Sequence, residues 1–474
     1  MNTKAPIIQQ HELLPNCNNN CGFCYNPERC WKQTFTPRKE DENLNLKITE
    51  LSISKGIMAS CLTGGEPTLV PKHLLNLLQI YKNVGCYKSI NSNGRLIDKS
   101  LAKKLKDVDL NSALISIHGV GQLHNYMVGD NNAFIETKNG IANLMEAGIH
   151  VVPNFVATAK NIHGLEDVGI MLLKMGLNFM TVTPFLPSWA TPEHEQYIMQ
   201  TENYRKYFEV ISKIGKLGMK IDSTLPIPPC VLIKFFPDNW VDYLEVLSPR
   251  VCMAGKSFGV ISPDGMFRSC IQAPYFETYG GNVVDEYEKS WKRSNKWADL
   301  KLLPKECLEC KALSVCGGGC RTSCLWENNG SPFGKTMYMD KPLSETEAQY
   351  FIKRTEVKIE SKNGPYAWQP QIKMRDEGWG IIIFNSNNQS FCLLASEFRK
   401  YLKTESLDIQ DKHTTEVLLS FGAINKTDKI SNITVIPNEI KSLPANIIFP
   451  RLADGLTNDI VRELRSDTGE RLRF

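Results

Sequence analysis

Residues 17–24 read CNNNCGFC, a stretch with three cysteines at a C-x3-C-x2-C spacing, Cys17, Cys21 and Cys24. One loop can place three such thiolates on three corners of an iron–sulfur cubane and leave one iron without a protein ligand. A zinc site is the alternative. Because a structural zinc ion usually takes four protein ligands, His11 or Cys30 would then complete it. The spacing by itself favours the iron–sulfur interpretation.

A second motif, LTGGEP at residues 62–67, lies between a predicted strand and a predicted helix. Its two glycines, Gly64 and Gly65, let a ligand approach the backbone closely. Glu66, which precedes Pro67, places a carboxylate at the end of the strand, where it can accept a hydrogen bond from an ammonium group. GGEP alone is compatible with an ordinary turn. Following the three cysteines in the first strand–helix unit, it predicts a ligand site.

Short apolar strands alternate with helical segments between residues 5 and 225. The predicted strands are residues 57–62, 87–91, 110–117, 150–157, 179–183 and 219–222. The predicted helices are residues 38–55, 73–84, 99–106, 134–147, 165–175 and 193–217, several of which end at a glycine. This alternation predicts a parallel sheet with right-handed crossovers, in which ligands bind beyond the carboxyl ends of the strands.

CNNNCGFC followed by GGEP resembles the radical S-adenosylmethionine (radical SAM) superfamily, and the resemblance covers roughly residues 5–225. It implies that the three cysteines hold a 4Fe–4S cluster whose open iron is chelated by the amine and carboxylate of SAM. An electron from the cluster would cleave SAM to a 5′-deoxyadenosyl radical, which abstracts hydrogen from a substrate. The implied fold is α/β, a partial (β/α)6 barrel, in agreement with the number of predicted strands.

Weaker matches to the family lie at the ends of the other predicted strands. Phe23 sits where an aromatic residue commonly packs near the adenine of SAM. The resemblance also implies SAM contacts from polar residues of NSNG (91–94), SIHG and the next two strands, namely Asn91, Ser116, Asn154 and Thr183. The alternative for each is a polar group that is satisfied by neighbouring backbone. His118 is interpreted as structural rather than catalytic.

Seven further cysteines lie between residues 252 and 324. They follow the pattern C-x12-G-x4-C, then C-x2-C-x5-C-x3-C, at Cys252, Cys270, Cys307, Cys310, Cys316 and Cys320, with Cys324 after three more residues. Zinc ribbons are the alternative for such spacing. The long pattern resembles the SPASM extension of radical SAM enzymes, which implies two auxiliary 4Fe–4S clusters.

The resemblance further implies how the thiolates divide. Cys252, Cys270 and Cys320 would share one cluster, with Cys230 as the nearest upstream thiol for its fourth position. Cys307, Cys310 and Cys316 would hold the other. The family often adds a last cysteine in a DPxC sequence, but residues 340–343 read DKPL, with Leu343 at that place. Cys324 is therefore the predicted fourth ligand of the second cluster, and a free Cys324 beside a three-thiolate cluster is the alternative.

The C-terminal region changes character. A strand-like stretch at 371–385 precedes helix-like runs at 395–403, 414–421 and 458–473. Residues 375–380 read RDEGWG, which resembles the R-x-E-x-x-G sequence of small PqqD-like domains and implies recognition of a leader peptide as an added strand. A capping role is the alternative. The predicted domains are a radical SAM barrel at 1–225, a SPASM domain at 226–342 and a small α+β domain at 343–474.

Composition bounds the remaining classes. The 474 residues include 55 basic and 51 acidic side chains, so the net charge of +4 is too balanced to indicate nucleic acid. No apolar run approaches the roughly 18 residues that span a bilayer, and the amino terminus lacks the apolar segment of a signal peptide. Fifteen cysteines, largely clustered, are typical of metal ligands in a reducing compartment. We therefore expect a cytoplasmic protein that binds no membrane.

These features together predict a radical SAM/SPASM enzyme that modifies a ribosomally made precursor peptide. Its cofactors would be SAM and 4Fe–4S clusters, one that generates the radical and two auxiliary, and its reductant a ferredoxin or flavodoxin. One alternative is an oxidase, similar to sulfatase maturases, that forms formylglycine in a protein precursor. The other is a non-enzymatic scaffold with several zinc ions, which would need no SAM site.

Overall fold

The computed structural model describes most of the chain up to residue 426. The described residues are 3–25, 39–187, 192–246, 251–272, 279–294, 303–327, 342–354, 366–369, 371–377, 380–385, 390–395, 415–416, 418–419 and 421–426. Cys30, the helix-like runs at 395–403 (except Ala395) and 458–473, and Asp340 and Lys341 of DKPL lie outside them.

Seven parallel strands in chain order form the centre of the molecule. They are β1 (Ile8–Glu12), β2 (Ala59–Thr63), β3 (Tyr87–Ser92), β4 (Ser112–Ser116), β5 (His150–Ala157), β6 (Phe179–Pro184) and β7 (Lys220–Asp222). The helices between them are α1 (Lys39–Ser54), α2 (Pro71–Asn83), α3 (Lys99–Asp107), α4 (Gln122–Val128), α5 (Ala133–Glu146), α6 (Leu165–Lys174) and α7 (Thr201–Lys216). Short 3-10 helices occupy Pro67–Leu69, Ile162–Gly164 and Pro192–Tyr197. The predicted parallel α/β fold is confirmed.

The sheet is open. In the described part of the chain its strand order is β10-β9-β8-β1-β2-β3-β4-β5-β6-β7, and the two ends do not pair with each other. Each parallel neighbour points the same way, so the loops that follow β1 to β6 meet at one edge, the carboxyl edge of the sheet. The other edge carries the loops that enter the strands.

Two elements differ from the predicted ones in the first 225 residues. β1 was not among the predicted strands, because four of its five residues are polar, IQQHE. The predicted helix at 193–217 is divided into a 3-10 turn and α7, which begins at Thr201 after a capping box formed by Gln200 and Asn203. The α4 helix lies where only a loop was expected.

The described part of the region from 226 to 327 has regular structure. It contains α8 (Cys230–Phe235), a 3-10 helix (Trp240–Val246), β8 (Phe258–Ile261), β9 (Met266–Arg268), β10 (Tyr279–Asn282) and the helices α9 (Val283–Ser294), α10 (Lys305–Glu309), α11 (Leu313–Cys316) and α12 (Arg321–Glu327). β8 pairs in parallel with β1, so the main sheet continues across the boundary predicted at residue 225.

The described C-terminal elements are α13 (Glu345–Arg354), β11 (Tyr366–Trp368), β12 (Ile372–Asp376), β13 (Gly380–Asn385), β14 (Ser390–Ala395) and β15 (Ile424–Lys426). The single strand expected at 371–385 is an antiparallel hairpin, β12–β13, whose turn is closed by a 2.9 Å hydrogen bond from the Glu377 N–H to the Gly380 carbonyl. Its β13 side chains Ile382 and Phe384 pack on Ile7 and Met58, which directly precede β1 and β2. The β12–β14 sheet therefore lies at the amino edge, opposite the loops of the site.

Candidate functional site at the carboxyl edge

The loop that carries the three cysteines is fixed against the GGEP turn. After β1 the backbone of residues 13–16 continues beside the end of β2. It makes hydrogen bonds from the Leu13 N–H to the Thr63 carbonyl (2.8 Å), from the Gly65 N–H to the Leu14 carbonyl (2.8 Å) and from the Glu66 N–H to the Asn16 carbonyl (2.7 Å). The turn thus sets the position from which the Cys17 loop starts.

The two glycines of GGEP are needed for this contact. A Cβ on Gly65 would lie 1.9 Å from the Asn16 carbonyl oxygen, and one on Gly64 would lie 2.5 Å from that of Leu14. Gly64 also has φ +133°, which side chains rarely adopt. We expected the glycines to admit a ligand. On the side where a Cβ would lie, the glycines instead contact the backbone of residues 14–16, directly before Cys17.

The three thiols are neighbours. Burial raises the pKa of the Cys21 thiol well above its ordinary value, and the nearby Cys24 and Cys17 thiols raise it further. Burial, with Glu66 close by, raises the pKa of Cys17 to about 12. Metal ligation requires thiolates, so only a bound cation would favour deprotonation of these groups at neutral pH.

Hydrogen-bond donors already point at one sulfur. The Asn19 N–H lies 3.4 Å from Cys17 Sγ, and the Asn93 side-chain amide lies 3.8 Å from it. Donors of this kind tune and orient cluster thiolates. Three grouped thiols with donors aimed at sulfur fit an iron–sulfur cluster held by Cys17, Cys21 and Cys24. The alternative zinc ligand His11 lies in β1, where its Nε2 pairs with Asn45 Oδ1 at 2.9 Å.

Glu66 connects the ends of β2 and β3. Its Oε1 accepts hydrogen bonds from the Thr68 N–H (3.0 Å), the Thr68 hydroxyl and the Ser92 hydroxyl (2.7 Å), and its Oε2 accepts one from the Asn93 N–H (2.7 Å). Burial raises the pKa of this carboxyl, and the hydrogen bonds from Asn93, Thr68 and Ser92 oppose that shift. Its contact with an ammonium group stays a prediction, whereas its four protein donors show a bridging role.

Arg95, which follows NSNG directly, was not predicted as a site residue. Its guanidinium donates to the Asn18 carbonyl (2.8 Å) and to Asn19 Oδ1 (2.9 Å), both within CNNNC. On its other side it forms ion pairs with Glu136 (2.6 Å) and Asp130 (3.0 Å). Only 8% of the side chain is exposed. Arg95 therefore holds the cysteine loop from the β3 end, and its only sequence signal is its place after NSNG.

The predicted polar set spans four neighbouring strands at the same edge. Ser116 pairs in register with Asn154 across β4 and β5, and Asn154 Oδ1 accepts hydrogen bonds from Thr181 (2.8 Å) and Thr183 (2.9 Å) on β6. Asn91 Oδ1 accepts from the Cys61 thiol at 3.1 Å. The structure thus brings Ser116, Asn154 and Thr183 together and gives the amides partners within the protein.

Phe23 belongs to an aromatic group beside the cysteine loop. Its ring lies 4.9 Å from that of His118 and 5.9 Å from that of Tyr197. The Tyr197 hydroxyl covers Gly22, where a Cβ would lie 2.2 Å from it. The His118 ring is buried, and its Nδ1 accepts the Val156 N–H at 3.2 Å, which agrees with a structural role.

The cysteines after residue 225 form two groups. Burial raises the pKa of the Cys320 thiol to about 12, and the neighbouring Cys252 and Cys270 thiols raise it as well. Burial and the nearby Cys316 and Cys310 thiols raise that of Cys307 to about 12. The structure therefore brings together the two sets that the resemblance implied.

Cys230 lies with the second set, not with the first as expected. It lines one cavity with Cys307, Cys310 and Cys316. Cys324 is buried in α12, one turn after Cys320, and its N–H donates to the Cys320 carbonyl at 3.4 Å. Within the described part of the chain, no three Cys, His, Asp or Glu side chains are arranged to hold a single metal ion.

The site can now be compared with known proteins. Residues 12–169, which include the three cysteines, GGEP, NSNG, Ser116 and Asn154, match the family described as the Radical SAM superfamily. The chain contains a radical SAM domain. Two similar solved structures share the fold of this chain. One, anSMEcpe with bound AdoMet, has a TM-score of 0.55 and 19% identity, and the match covers 73% of this chain and 92% of that one. The other is Streptococcus suis SuiB bound to precursor peptide SuiA, with a TM-score of 0.54, 17% identity and coverage of 71% and 76%.

Curated relatives of this chain have names that refer to different substrates. A probable GTP 3′,8-cyclase of Sulfurisphaera tokodaii is 27% identical and covers 54% of this chain and 78% of its own. A PqqA peptide cyclase of Bradyrhizobium diazoefficiens is 24% identical and covers 67% and 81%. The radical SAM family implies a 4Fe–4S cluster and SAM. In the residues that the structure describes, no helix is both long and apolar enough to cross a membrane.

Proposed function

We propose that this protein is a radical SAM enzyme that modifies a ribosomally made precursor peptide. The observation that carries the radical SAM part is the convergence of the Cys17 loop, the GGEP turn and the NSNGR loop at the carboxyl edge of the sheet. When bound at Cys17, Cys21 and Cys24, a 4Fe–4S cluster supplies the electron that cleaves SAM. Among the protein's own groups, Glu66 and Arg95 would keep the thiols in one arrangement.

The SAM molecule would lie along the strand ends. We propose that Gly64, Gly65, Glu66 and Pro67 bind its methionyl end, with Phe23, Asn91, Ser116, Asn154 and Thr183 as further contacts. The hydrogen bond between Thr183 and Asn154 supports this because it orients both polar groups at one edge before a ligand arrives. The Phe23 group supplies an apolar wall beside them.

A peptide substrate is supported by the neighbours rather than by a contact in this chain. One similar structure is bound to its precursor peptide, and one curated relative is named a peptide cyclase. The β12–β14 sheet is a place where a leader peptide could add as a strand. Since this sheet lies at the amino edge, a bound peptide would have to continue around the barrel. A precursor peptide could do this if its leader binds the β12–β14 sheet and its separate core segment reaches the carboxyl edge.

The SPASM region would hold two auxiliary clusters, one at Cys252, Cys270 and Cys320 and one at Cys307, Cys310 and Cys316. Their proposed role is to take up or relay the substrate electron, or to position the peptide. A ferredoxin or flavodoxin would reduce the first cluster. The domain boundaries 1–225, 226–342 and 343–474 belong to the same proposal.

Co-expression with a short precursor peptide encoded beside this protein's gene tests the proposal. We expect a mass change on the peptide and formation of 5′-deoxyadenosine. The variant in which Cys17, Cys21 and Cys24 are all alanine should lack about four irons per chain and both products. SAM cleavage that survives in this variant would refute the cluster assignment. A peptide that stays unmodified while GTP or a porphyrin is consumed would refute the substrate class.

A further inference from the structure

One cavity beside the cysteine-rich region is lined by four cysteines, one of which is Cys230. Its walls come from three separate parts of the chain, namely α8, the segment from α10 to Gly318, and residues 342–343. Three of its cysteines, Cys307, Cys310 and Cys316, belong to the SPASM-like pattern, and the fourth, Cys230, does not. Four thiols on one cavity is the number that a 4Fe–4S cluster takes from a protein.

Cys230 is held in this position by packing. It is the first residue of α8, directly after Pro228 and Pro229, and the other side of the helix is buried through Val231, Leu232 and Phe235. The Phe235 ring stacks on Tyr204 of α7 at 5.7 Å. The thiol is thus attached to the barrel core and faces the cysteine-rich region. Burial raises its pKa well above the ordinary value, and the thiols of Cys316, Cys307 and Cys310 raise it further, so all four are neighbours.

The place of the missing family cysteine is occupied in the same cavity. The Leu343 N–H donates to Cys310 Sγ at 3.3 Å, and Leu343, only 5% exposed, is part of the cavity wall. The DKPL segment therefore reaches the thiol group but brings an apolar side chain to it. A thiol from another wall is then required for a complete set of four.

We infer that Cys230 is the fourth protein ligand of the second auxiliary 4Fe–4S cluster, together with Cys307, Cys310 and Cys316. This rests on the auxiliary clusters of the proposed function. It replaces the expectation that Cys324 completes this cluster, and it leaves the other auxiliary site with Cys252, Cys270 and Cys320. The ligand comes from the end of the barrel, upstream of the whole cysteine pattern, so the cluster would connect the barrel covalently to the cysteine-rich region.

The test counts iron in a chain that lacks the radical-generating site. In the Cys17, Cys21 and Cys24 triple alanine variant, all bound iron belongs to the auxiliary sites. Into this background we would introduce Cys230→Ala, Cys230→Ser, Cys324→Ala and Cys86→Ala. Cys86 is a buried cysteine of the main core and serves as the matched control. Iron, zinc and acid-labile sulfide are measured after anaerobic reconstitution, with Mössbauer and EPR spectra of the clusters.

We expect Cys230→Ala and Cys230→Ser to lose between about one and four irons per chain and to change the cluster spectrum. Cys324→Ala and Cys86→Ala should keep the parental iron and spectrum. The serine variant keeps the size of the side chain, so its loss of iron would not arise from an unfolded α8. Adding Leu343→Cys to Cys230→Ala should restore the iron, because it returns a thiol to the same cavity.

Parental iron and spectra in both Cys230 variants would overturn the inference, and so would a loss confined to Cys324→Ala. Zinc in place of iron at this site would overturn it too. The failure of the proposed function is measured separately, because SAM cleavage depends on Cys17, Cys21 and Cys24, which this background lacks. If the parent chain cleaves SAM but the Cys230 variants keep the parental iron and spectra, only the assignment of Cys230 is refuted.

Discussion

The backbone N–H of Asn93 donates a 2.7 Å hydrogen bond to the buried carboxylate of Glu66, and this bond joins the ends of two neighbouring strands. The Asn93 side chain donates in turn to Asn18 Oδ1 at 2.6 Å, inside the cysteine loop. The end of β2, the end of β3 and the three-cysteine loop are therefore one hydrogen-bonded unit. The acidic residue of GGEP supports the cluster loop in addition to any contact it makes with SAM.

Glu66→Gln tests this support. Both Glu66 oxygens now accept hydrogen bonds. The glutamine side chain replaces one of these oxygens with an NH2 group, so at least one buried donor loses its acceptor. That loss costs about 1–3 kcal/mol. We expect a lower denaturation midpoint without SAM, lower iron loading and weaker SAM binding. Glu209→Gln, at an exposed position of α7, is the matched control. Weaker SAM binding with parental stability and iron would mean that Glu66 acts on SAM alone.

Arg95→Gln should loosen the cysteine loop. The change removes the donors to Asn18 and Asn19 and leaves Glu136 and Asp130 without their cation. Because hydrogen bonds to charged groups contribute about 1.5–3 kcal/mol each, we expect slower reconstitution and faster loss of the cluster to a chelator. The absorbance of the cluster measures both rates. Arg205→Gln, which removes an exposed 4.0 Å ion pair with Glu202, should match the parent.

The His118–His124 pair predicts that the folded protein loses stability at acid pH. His124 Nδ1 accepts the backbone N–H of His118 at 3.0 Å, and burial, followed by the nearby Arg95 charge, lowers the pKa of His124 to about 4. Between its ordinary pKa of 6.5 and this value the unfolded chain binds more protons, so stability is lost as the pH falls. For this group alone the loss from pH 7.5 to pH 5 is about 2 kcal/mol.

His124→Asn keeps an acceptor for the His118 N–H but cannot titrate. We therefore expect denaturant unfolding of the parent to weaken by about 2 kcal/mol more than that of the variant over this pH range. The other titrating groups are common to both chains, and among them the pKa of His118, which the nearby His124 lowers, changes with the substitution. Equal pH dependence of the two chains would show that His124 is protonated alike in the folded and unfolded states.

Arg375→Met should weaken the attachment of the C-terminal sheet. The guanidinium donates to the carbonyls of Ala5 (3.0 Å) and Gly56 (2.6 Å) and pairs with Glu377, which is buried. Removing one partner of a buried pair costs about 3–5 kcal/mol, because the remaining charge is uncompensated. The unfolding midpoint should fall. The midpoint of the double variant Arg375→Met/Glu377→Gln should fall less. An equal fall in the single and double variants would refute a stabilising ion pair between Arg375 and Glu377.

Local spacing predicted much of the fold. Apolar runs marked β2 to β7. The glycines predicted to end the helices, Gly56, Gly85, Gly148, Gly176 and Gly218, all have positive φ, as the pattern requires. β1 was missed because its polar side chains find partners far away in the chain. Glu12 pairs with Arg268 at 2.6 Å, and Gln9 with the Tyr287 hydroxyl at 3.3 Å. A single sequence carries no signal for such pairs.

The candidate site divides in the same way. The three-cysteine loop and GGEP were predicted because their residues are adjacent in sequence. Arg95 contacts Asn19, and Cys230 lies beside Cys307. The partners in each pair are at least 76 positions apart in sequence, so only the folded chain reveals these two site residues. The R-x-E sequence was noticed for its resemblance to peptide-recognition domains. In the structure its two charged side chains fasten the sheet to the barrel, which no local pattern distinguishes from a binding surface.

Three consecutive glycines with left-handed backbone, Gly317, Gly318 and Gly319, connect Cys316 of one thiol group to Cys320 of the other. Four peptide steps span at most about 14 Å between Cα atoms, however the segment bends. Two redox centres attached to these cysteines would remain within electron-tunnelling range during any motion of the surrounding loops. If clusters bind at both thiol groups, the glycine link would therefore keep them close to each other by the length of the chain itself, whatever substrate docks.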